Sequence, residues 1–348
     1  MSNNIHFIDK DWSVLNKLVA ENNYSKLIVL VDSNTLQHCL PLFNPVLERE
    51  FQVIEVEAGE ASKDLEICAH IWQEFSEEAA DRHALLINLG GGVVSDLGGF
   101  IASIYKRGIS FIHIPTSLLA MVDASIGGKC GIDFLGFKNQ LGSFSQAKAI
   151  LIHPPFLATL ANDEMLSGMA EMLKHGLIAD KKHWQSLVDL DHIDLLNHSE
   201  IIKASINIKS IIVEADPFEK GERKKLNFGH TIGHAIESYF MAKDKAIKHG
   251  FAIAAGIMCE SFLSFKLGLL QQNEFEEINK VLRAKYQQLV FSKAEFSSIL
   301  IYMQQDKKNA KGKNQFTLLH GIGNAVINQQ VDEDLIVESL VYYCDSEY

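Results

Sequence analysis

Proline is scarce, with six in 348 residues, and beyond residue 160 only Pro217 remains. A proline-rich linker is therefore excluded, and the second half can carry long uninterrupted helices. Cysteine is equally thin: Cys39, Cys68, Cys130, Cys259 and Cys344 are odd in number and form no C-x-x-C pair. That argues against a disulfide framework and for a reducing, cytoplasmic setting. No apolar run is long enough to span a bilayer; the longest, Phe251 to Cys259, is about half the necessary length. The first residues, M-S-N-N-I-H-F-I-D-K-D-W, show no basic segment followed by an apolar core, so no secretory signal is expected. Basic charge is in deficit too. A net charge of −12 excludes a general nucleic-acid or anionic-membrane binder, which gives local clusters of lysine and arginine more meaning.

What remains is globular, with 47% hydrophobic and 22% charged residues and length enough for two domains. Up to about residue 160 strands and helices alternate. Lys26–Asp32, Phe51–Val56, Ala84–Leu89, Phe111–Ile114 and Ala149–Ile152 are short β-branched runs closed by glycine, proline or acidic turns. Ser62 is expected to cap a helix whose stripe is Leu65, Ala69, Trp72 and Phe75. This alternation predicts a parallel sheet with ligands at the carboxyl ends of its strands. From there on helices dominate: 163–179, 199–215, 222–242, 249–267 and 273–287, then a small hairpin at 316–319 and 325–327 and a last helix from Asp332. The expected division is an α/β domain, 1–160, and an all-α domain, 161–348.

Three groups of residues carry chemistry. In Leu226–Glu237, L-N-F-G-H-T-I-G-H-A-I-E, His230 and His234 are four apart and share a helix face. His249 follows at the start of an apolar helical run, and Glu171 and Lys174 share a face of M-A-E-M-L-K-H. Two or three histidines with a carboxylate suit a catalytic zinc site, although histidines at this spacing also occur on ordinary helix faces. Gly90, Gly91 and Gly92, between a strand and a helix, suit either a pyrophosphate at a helix N-terminus or a tight structural turn. Asp32 and Glu60, at strand ends, could hold ribose hydroxyls or cap helices. Between Tyr105 and Gly142 the cations Arg107, Lys129 and Lys138 and the acid Asp123 are spaced by glycines, as in a pocket for a phosphorylated or carboxylated ligand. Lys174, Lys209, Arg223, Lys307 and Lys308 extend this cationic set.

In order along the chain stand A-G-E-A-S-K, G-G-G-V-V-S-D-L-G-G-F, Y-K-R-G, P-T-S-L-L-A-M-V-D-A-S-I-G-G-K, K-N-Q-L-G, G-M-A-E-M-L-K, L-N-F-G-H-T-I-G-H-A-I-E and D-K-K. That series, from about Ala58 to Leu319, closely resembles the 3-dehydroquinate synthases, within the sugar-phosphate cyclases. The resemblance implies an NAD-binding α/β domain, a helical metal- and substrate-binding domain, and an active site in the cleft between them. It implies Glu171, His230 and His249 as metal ligands, for zinc or cobalt, with His234 an active-site polar residue rather than a ligand. Arg107, Asp123, Lys129, Asn139, Lys174, Lys209, Arg223, Asn227 and one of Lys307 or Lys308 would surround a phosphorylated keto acid, 3-deoxy-D-arabino-heptulosonate 7-phosphate. NAD would lie against Glu60, Lys63, Gly91, Gly92, Val93, Val94, Ser95, Asp96, Thr116, Ser117, Lys129, Lys138, Phe156, Leu157, Ala158 and Thr159. Transient oxidation, phosphate loss, re-reduction and aldol closure would then give 3-dehydroquinate without net redox, in a homodimer.

Four positions depart from the usual family pattern: Ser95 for glycine, Cys130 for threonine, Phe137 for glycine and Phe251 for glutamate. The last raises the question of what orients His249. Three other readings compete: a cyclase for another sugar phosphate, a metal-dependent NAD polyol dehydrogenase, and a catalytically dead NAD-binding protein. Few phosphate-binding cations are needed by the second, and the retained Glu171, His230 and His249 speak against the third.

Overall fold

Branched, apolar runs too short for helices form the central sheet of the first half. The computed structural model describes residues 4–135, 137–305 and 315–345, and the chain divides into two compact units, Met1–Ala161 and Asn162–Tyr348.

In the first unit the elements run β1 (Ile5–Phe7), α1 (Ser13–Glu21), β2 (Leu27–Asp32), α2 (Ser33–His38), α3 (Leu40–Phe43), β3 (Gln52–Val56), α4 (Leu65–Glu77), β4 (Leu85–Gly90), α5 (Gly92–Ile104), β5 (Ser110–Pro115), β6 (Lys129–Phe134), β7 (Phe137–Phe144) and β8 (Ile150–Ile152). Six strands form one sheet in the order β1-β8-β5-β4-β2-β3, every pair parallel. All of β4 and all of β2 except Asp32 are buried, as strands covered on both faces must be. Each such branched side chain contributes about 1.5–3 kcal/mol over exposure. Because the strands are parallel, the segments after β2, β3, β4, β5 and β8 all leave from one edge of the sheet.

Several local expectations are corrected here. The sheet has a sixth strand, β1, whose three residues are too few to show a period. Helix α4 is capped by Asp64, whose side chain accepts from the Glu66 N–H. Ser62 ends a preceding 3₁₀ turn and donates its hydroxyl to the Glu57 carbonyl. The buried residues of α4 are Cys68, Ile71 and Phe75, whereas Leu65 and Ala69 are exposed and Trp72 is half-buried, so the buried face lies one residue back from the expected stripe. The glycine- and cation-rich stretch after Asp123 is an antiparallel hairpin, β6–β7, packed on α5.

The second unit holds α6 (Asn162–Ala179), α7 (Lys181–Val188), α8 (Ser199–Ala215), α9 (His230–Met241), α10 (His249–Lys266), α11 (Gln272–Lys285), α12 (Phe296–Gln305), β9 (Gln315–Leu319), β10 (Ala325–Gln330) and α13 (Glu333–Asp345). It is not wholly helical, since β9 and β10 pair antiparallel. Helix α10 is buried almost all round, the mark of a central helix, and α6, α9, α11 and α13 pack on it. The single helix expected over 222–242 is two pieces. A 3₁₀ segment, Glu222–Asn227, ends at Phe228 and α9 starts anew at His230. Gly229 makes the break, with φ +77°, a region closed to most residues. A Cβ there would also lie 2.5 Å from Ile257 Cγ1. No helix among the described residues is long and apolar enough to cross a membrane.

Candidate active site

Three helices of the second unit bring one cluster together. From α6 come Glu171 and Lys174, three residues apart and both buried, with the Lys174 ammonium against Glu171 Oε2. Burying either charge alone would cost several kcal/mol, so each needs the other. From the first two turns of α9 come His230 and His234, and from the first turn of α10 comes His249. Their ring centroids are 5.0, 5.7 and 5.8 Å apart. The first turn of α10 approaches α6 so closely that a Cβ on Gly250 would lie 2.3 Å from Ser167 Cα. The Gly250 N–H donates to Ser167 Oγ over 2.9 Å.

Hydrogen-bond partners assign the tautomers. His230 Nδ1 lies 3.0 Å from the Phe228 carbonyl, so Nδ1–H donates and Nε2 keeps its lone pair. That Nε2 is 3.5 Å from Glu171 Oε1. His249 is arranged in the same sense, with Nδ1 3.5 Å from Glu237 Oε2 and Nε2 3.3 Å from the same Glu171 Oε1. Nε2 of both rings is thus turned to one carboxylate oxygen, an arrangement that calls for a cation between them, a proton or a metal ion. Burial alone would push the His249 pKa down, yet Glu237 and Glu171 together lift it to about 10. In the ion-free cluster a proton meets that need; with the rings neutral, two imidazoles and a carboxylate suit a divalent ion such as zinc or cobalt. The three histidines form a second possible set, with one ligand atom from each within 4.8 Å of the others; it lacks the carboxylate.

Two acids that the sequence reading passed over support this cluster. Glu237 follows His230 and His234 at i+7 on α9 and is buried. Glu260, fully buried in α10, accepts from the Gly229 N–H over 2.6 Å and the Ile232 N–H over 3.1 Å. It thus caps the start of α9 from the neighbouring helix, where an anion is favoured by the free N–H groups and the dipole. A carboxylate inside the apolar run around Cys259 was its only signal. Phe251 sets its ring edge-on to Tyr286, centroids 5.6 Å apart.

Lys209, in α8, and Arg223, in the 3₁₀ segment, are also buried. The loop delivering Arg223 is organised by Asp216, whose carboxylate accepts from the Gly221, Lys220 and Arg223 N–H groups. Those bonds, Gly221 foremost, hold its pKa below the ordinary value against burial. Arg223 itself donates to the Pro217 carbonyl over 2.6 Å. Asn227, half-buried, donates to Glu219 Oε1 over 2.7 Å. Lys307 and Lys308 lie outside the described residues.

In the first unit the dinucleotide candidates gather along the carboxyl edge of the sheet. Gly91 stands before α5, whose first turn holds no acidic residue and no side-chain cap, so its N–H groups face outward as in an anion site. Val94 and Ser95 are buried in that first turn, while Val93 and Asp96 are half-buried. Thr116 and Ser117 follow β5 and are buried, Ser117 Oγ accepting from the Ala120 N–H. Phe156–Thr159 lie in the 3₁₀ turn after β8; Phe156 and Leu157 are core residues, leaving their backbone and Ala158 and Thr159 for contact. Lys63, only 4% exposed, donates to Asp96 Oδ2 at 2.9 Å and Asn139 Oδ1 at 2.7 Å, with Glu60 at 3.4 Å. Burial opposes its charge, but Asp96 and Glu60 more than compensate and raise its pKa. Lys138 lies 3.5 Å from Glu60. Arg107 and Lys129 are exposed, and Asp123 sits half-buried in the π-helical turn Ala120–Ala124. Asp32 is a helix cap, in a capping box with Thr35. Cys130 is an inert packing thiol, its pKa pushed to about 12 by burial. Of Phe137 only the backbone is described.

Residues 53–167 match the family described as 3-dehydroquinate synthase N-terminal, and residues 168–309 match 3-dehydroquinate synthase C-terminal. The 3-dehydroquinate synthase of Parabacteroides distasonis is 42% identical over 338 residues, 96% of either chain. The chain belongs to the 3-dehydroquinate synthase family. Another synthase, from Streptococcus pyogenes, is 35% identical over 97% of this chain and 95% of its own. Membership makes the chain an enzyme of this type, a phosphate-eliminating lyase of the shikimate pathway. Among solved structures, 2-deoxy-scyllo-inosose synthase with carbaglucose-6-phosphate, NAD+ and Co2+ shares the fold with a TM-score of 0.81, at 22% identity over 97% of this chain and 95% of that one. The 2-epi-5-epi-valiolone synthase of Streptomyces hygroscopicus, with NAD+ and Zn2+, also has a TM-score of 0.81, at 23% identity over 99% and 97%. An iron-containing alcohol dehydrogenase has a TM-score of 0.69, at 13% identity over 100% and 98%, so the fold alone does not separate synthase from dehydrogenase.

Proposed function

We propose that the chain converts 3-deoxy-D-arabino-heptulosonate 7-phosphate to 3-dehydroquinate and phosphate, using NAD and one divalent metal ion, in the cytoplasm and as a homodimer. Its partner is a small anionic substrate; at a net charge of −12, nucleic acid and anionic membrane are not. The observation that carries this beyond family membership is the convergence of His230 Nε2 and His249 Nε2 on Glu171 Oε1, at 3.5 and 3.3 Å. We assign the metal to these three residues. When bound there, the metal would supply Lewis-acid polarisation of a ring alcohol and NAD reversible hydride exchange with its carbon.

The chain's own side chains supply the rest. A carboxylate and a phosphate on one substrate call for cations held out of bulk water, where each is worth more. Lys174, Lys209 and Arg223 are such cations. Lys174 is paired with Glu171, and Arg223 is presented by the Asp216 loop. Asn227 and His234 offer polar groups beside the metal ligands, and Arg107, Asp123, Lys129, Asn139 and one of Lys307 or Lys308 complete the substrate set. NAD lies along the carboxyl edge of the sheet, its pyrophosphate at the N-terminus of α5. With zinc or cobalt and catalytic NAD, phosphate should appear in many-fold excess over NAD with no build-up of NADH. Stoichiometric NADH from a simple polyol would instead identify a dehydrogenase.

A further inference from the structure

The two histidines that face Glu171 are not held alike. Each turns Nδ1 to an acceptor and Nε2 to Glu171 Oε1, but the acceptor for His230 is the neutral Phe228 carbonyl, whereas for His249 it is the Glu237 carboxylate. Glu237 is 4% exposed, so its charge was removed from water at a cost that an apolar residue there would not incur. It comes from the helix that carries His230 and His234, since positions i, i+4 and i+7 share a face. Residue 251 cannot do this work. Two steps from His249 along α10, it points about 200° away around the helix, and its ring packs on Tyr286. The orienting acid reaches His249 from across the helix pair.

We propose that Glu237 is a positioning residue for the metal site. By accepting from His249 Nδ1–H it fixes the ring plane and tautomer, and its charge makes Nε2 the stronger donor of the two imidazoles. The inference rests on the assignment of the metal to Glu171, His230 and His249. A fold-only role would be an ordinary buried charge pair, indifferent to metal.

The test uses the full chain loaded with cobalt or zinc and stripped by graded competition with a chelator. Glu237→Gln keeps an acceptor oxygen and removes the charge; Glu237→Ala removes both. We expect metal affinity to fall about tenfold in the first and about 100-fold in the second, with a shifted cobalt absorption spectrum in the alanine variant. Melting temperature is followed in parallel, and if Glu237→Ala does not fold, Glu237→Gln decides. Wild-type affinity and an unchanged cobalt spectrum in the folded variants, whatever their melting temperatures, would overturn the role of Glu237 while leaving the ligand assignment standing. A wild-type chain that takes up no more metal than His230→Ala would overturn the assignment and this inference with it.

Discussion

The two units build binding chemistry from different parts of the polypeptide. In the first, backbone does it: parallel strands end on one edge, and α5 opens there behind Gly91 with bare N–H groups. In the second, side chains on three packed helices do it, and each is set by buried partners such as Glu237 and Glu260. A backbone site tolerates most side-chain changes and fails when an atom is added. A side-chain site fails when one is removed.

The strongest way to sharpen that contrast is His230→Ala. Removal of one of the three proposed ligands should abolish metal retention and lower turnover by about 10³-fold or more, given the several kcal/mol that such an ion supplies. NAD affinity should be unchanged, as titration of the variant with the dinucleotide will show.

Next in size is acid sensitivity, carried most strongly among the described residues by His113 in the first unit and His183 in the second. Burial lowers the pKa of His113 to about 3, and burial, then His175, lowers that of His183 to about 4. Their unfolded value is about 6.5, so below it the unfolded chain binds the protons that the folded chain refuses. The stabilisation is complete above pH 6.5 and is lost as pH falls towards 4 and 3, about 5 kcal/mol for His113 and about 3 kcal/mol for His183. Denaturant titrations across that window should show the slope, and His113→Gln should reduce it for the first unit, leaving the smaller part carried by His153.

A smaller effect is expected from Gly91→Ala. An added Cβ would meet Ser117 Oγ at 3.4 Å, ordinary contact, so the melting temperature should hold. The methyl group would stand where a pyrophosphate approaches, and NAD affinity should fall about tenfold, the worth of one charge-assisted hydrogen bond. Metal binding in the same protein should not change. Smallest is Phe251→Glu, which loses the edge contact with Tyr286. It should cost about 1 kcal/mol in thermal stability and leave chelator competition unaltered.

Much of this was legible from residue order alone, because the signals were local. The runs at β2 and β4 are apolar enough to require burial on both faces, and Gly90–Gly92 announce the turn between β4 and α5. The motif series also named Glu171, His230 and His249, which lie far apart in sequence. What escaped depended on partners distant in the chain. Strand β1 exists because β8 is beside it. Hairpin β6–β7 hid in a stretch whose glycines and cations suggested a pocket. The periodicity through 222–242 could not reveal that Gly229 breaks it, and nothing local marked Glu237 as the partner of His249, which comes from another helix.

Glu260 has a consequence for how the apo protein waits for its ion. It grips the Gly229 and Ile232 amides with no cation at the histidines, so stripping the metal should leave the helix pair in place. Deuterium should enter those two amides only when α9 and α10 part. Reloading should then proceed at the pace at which the ion sheds its own water.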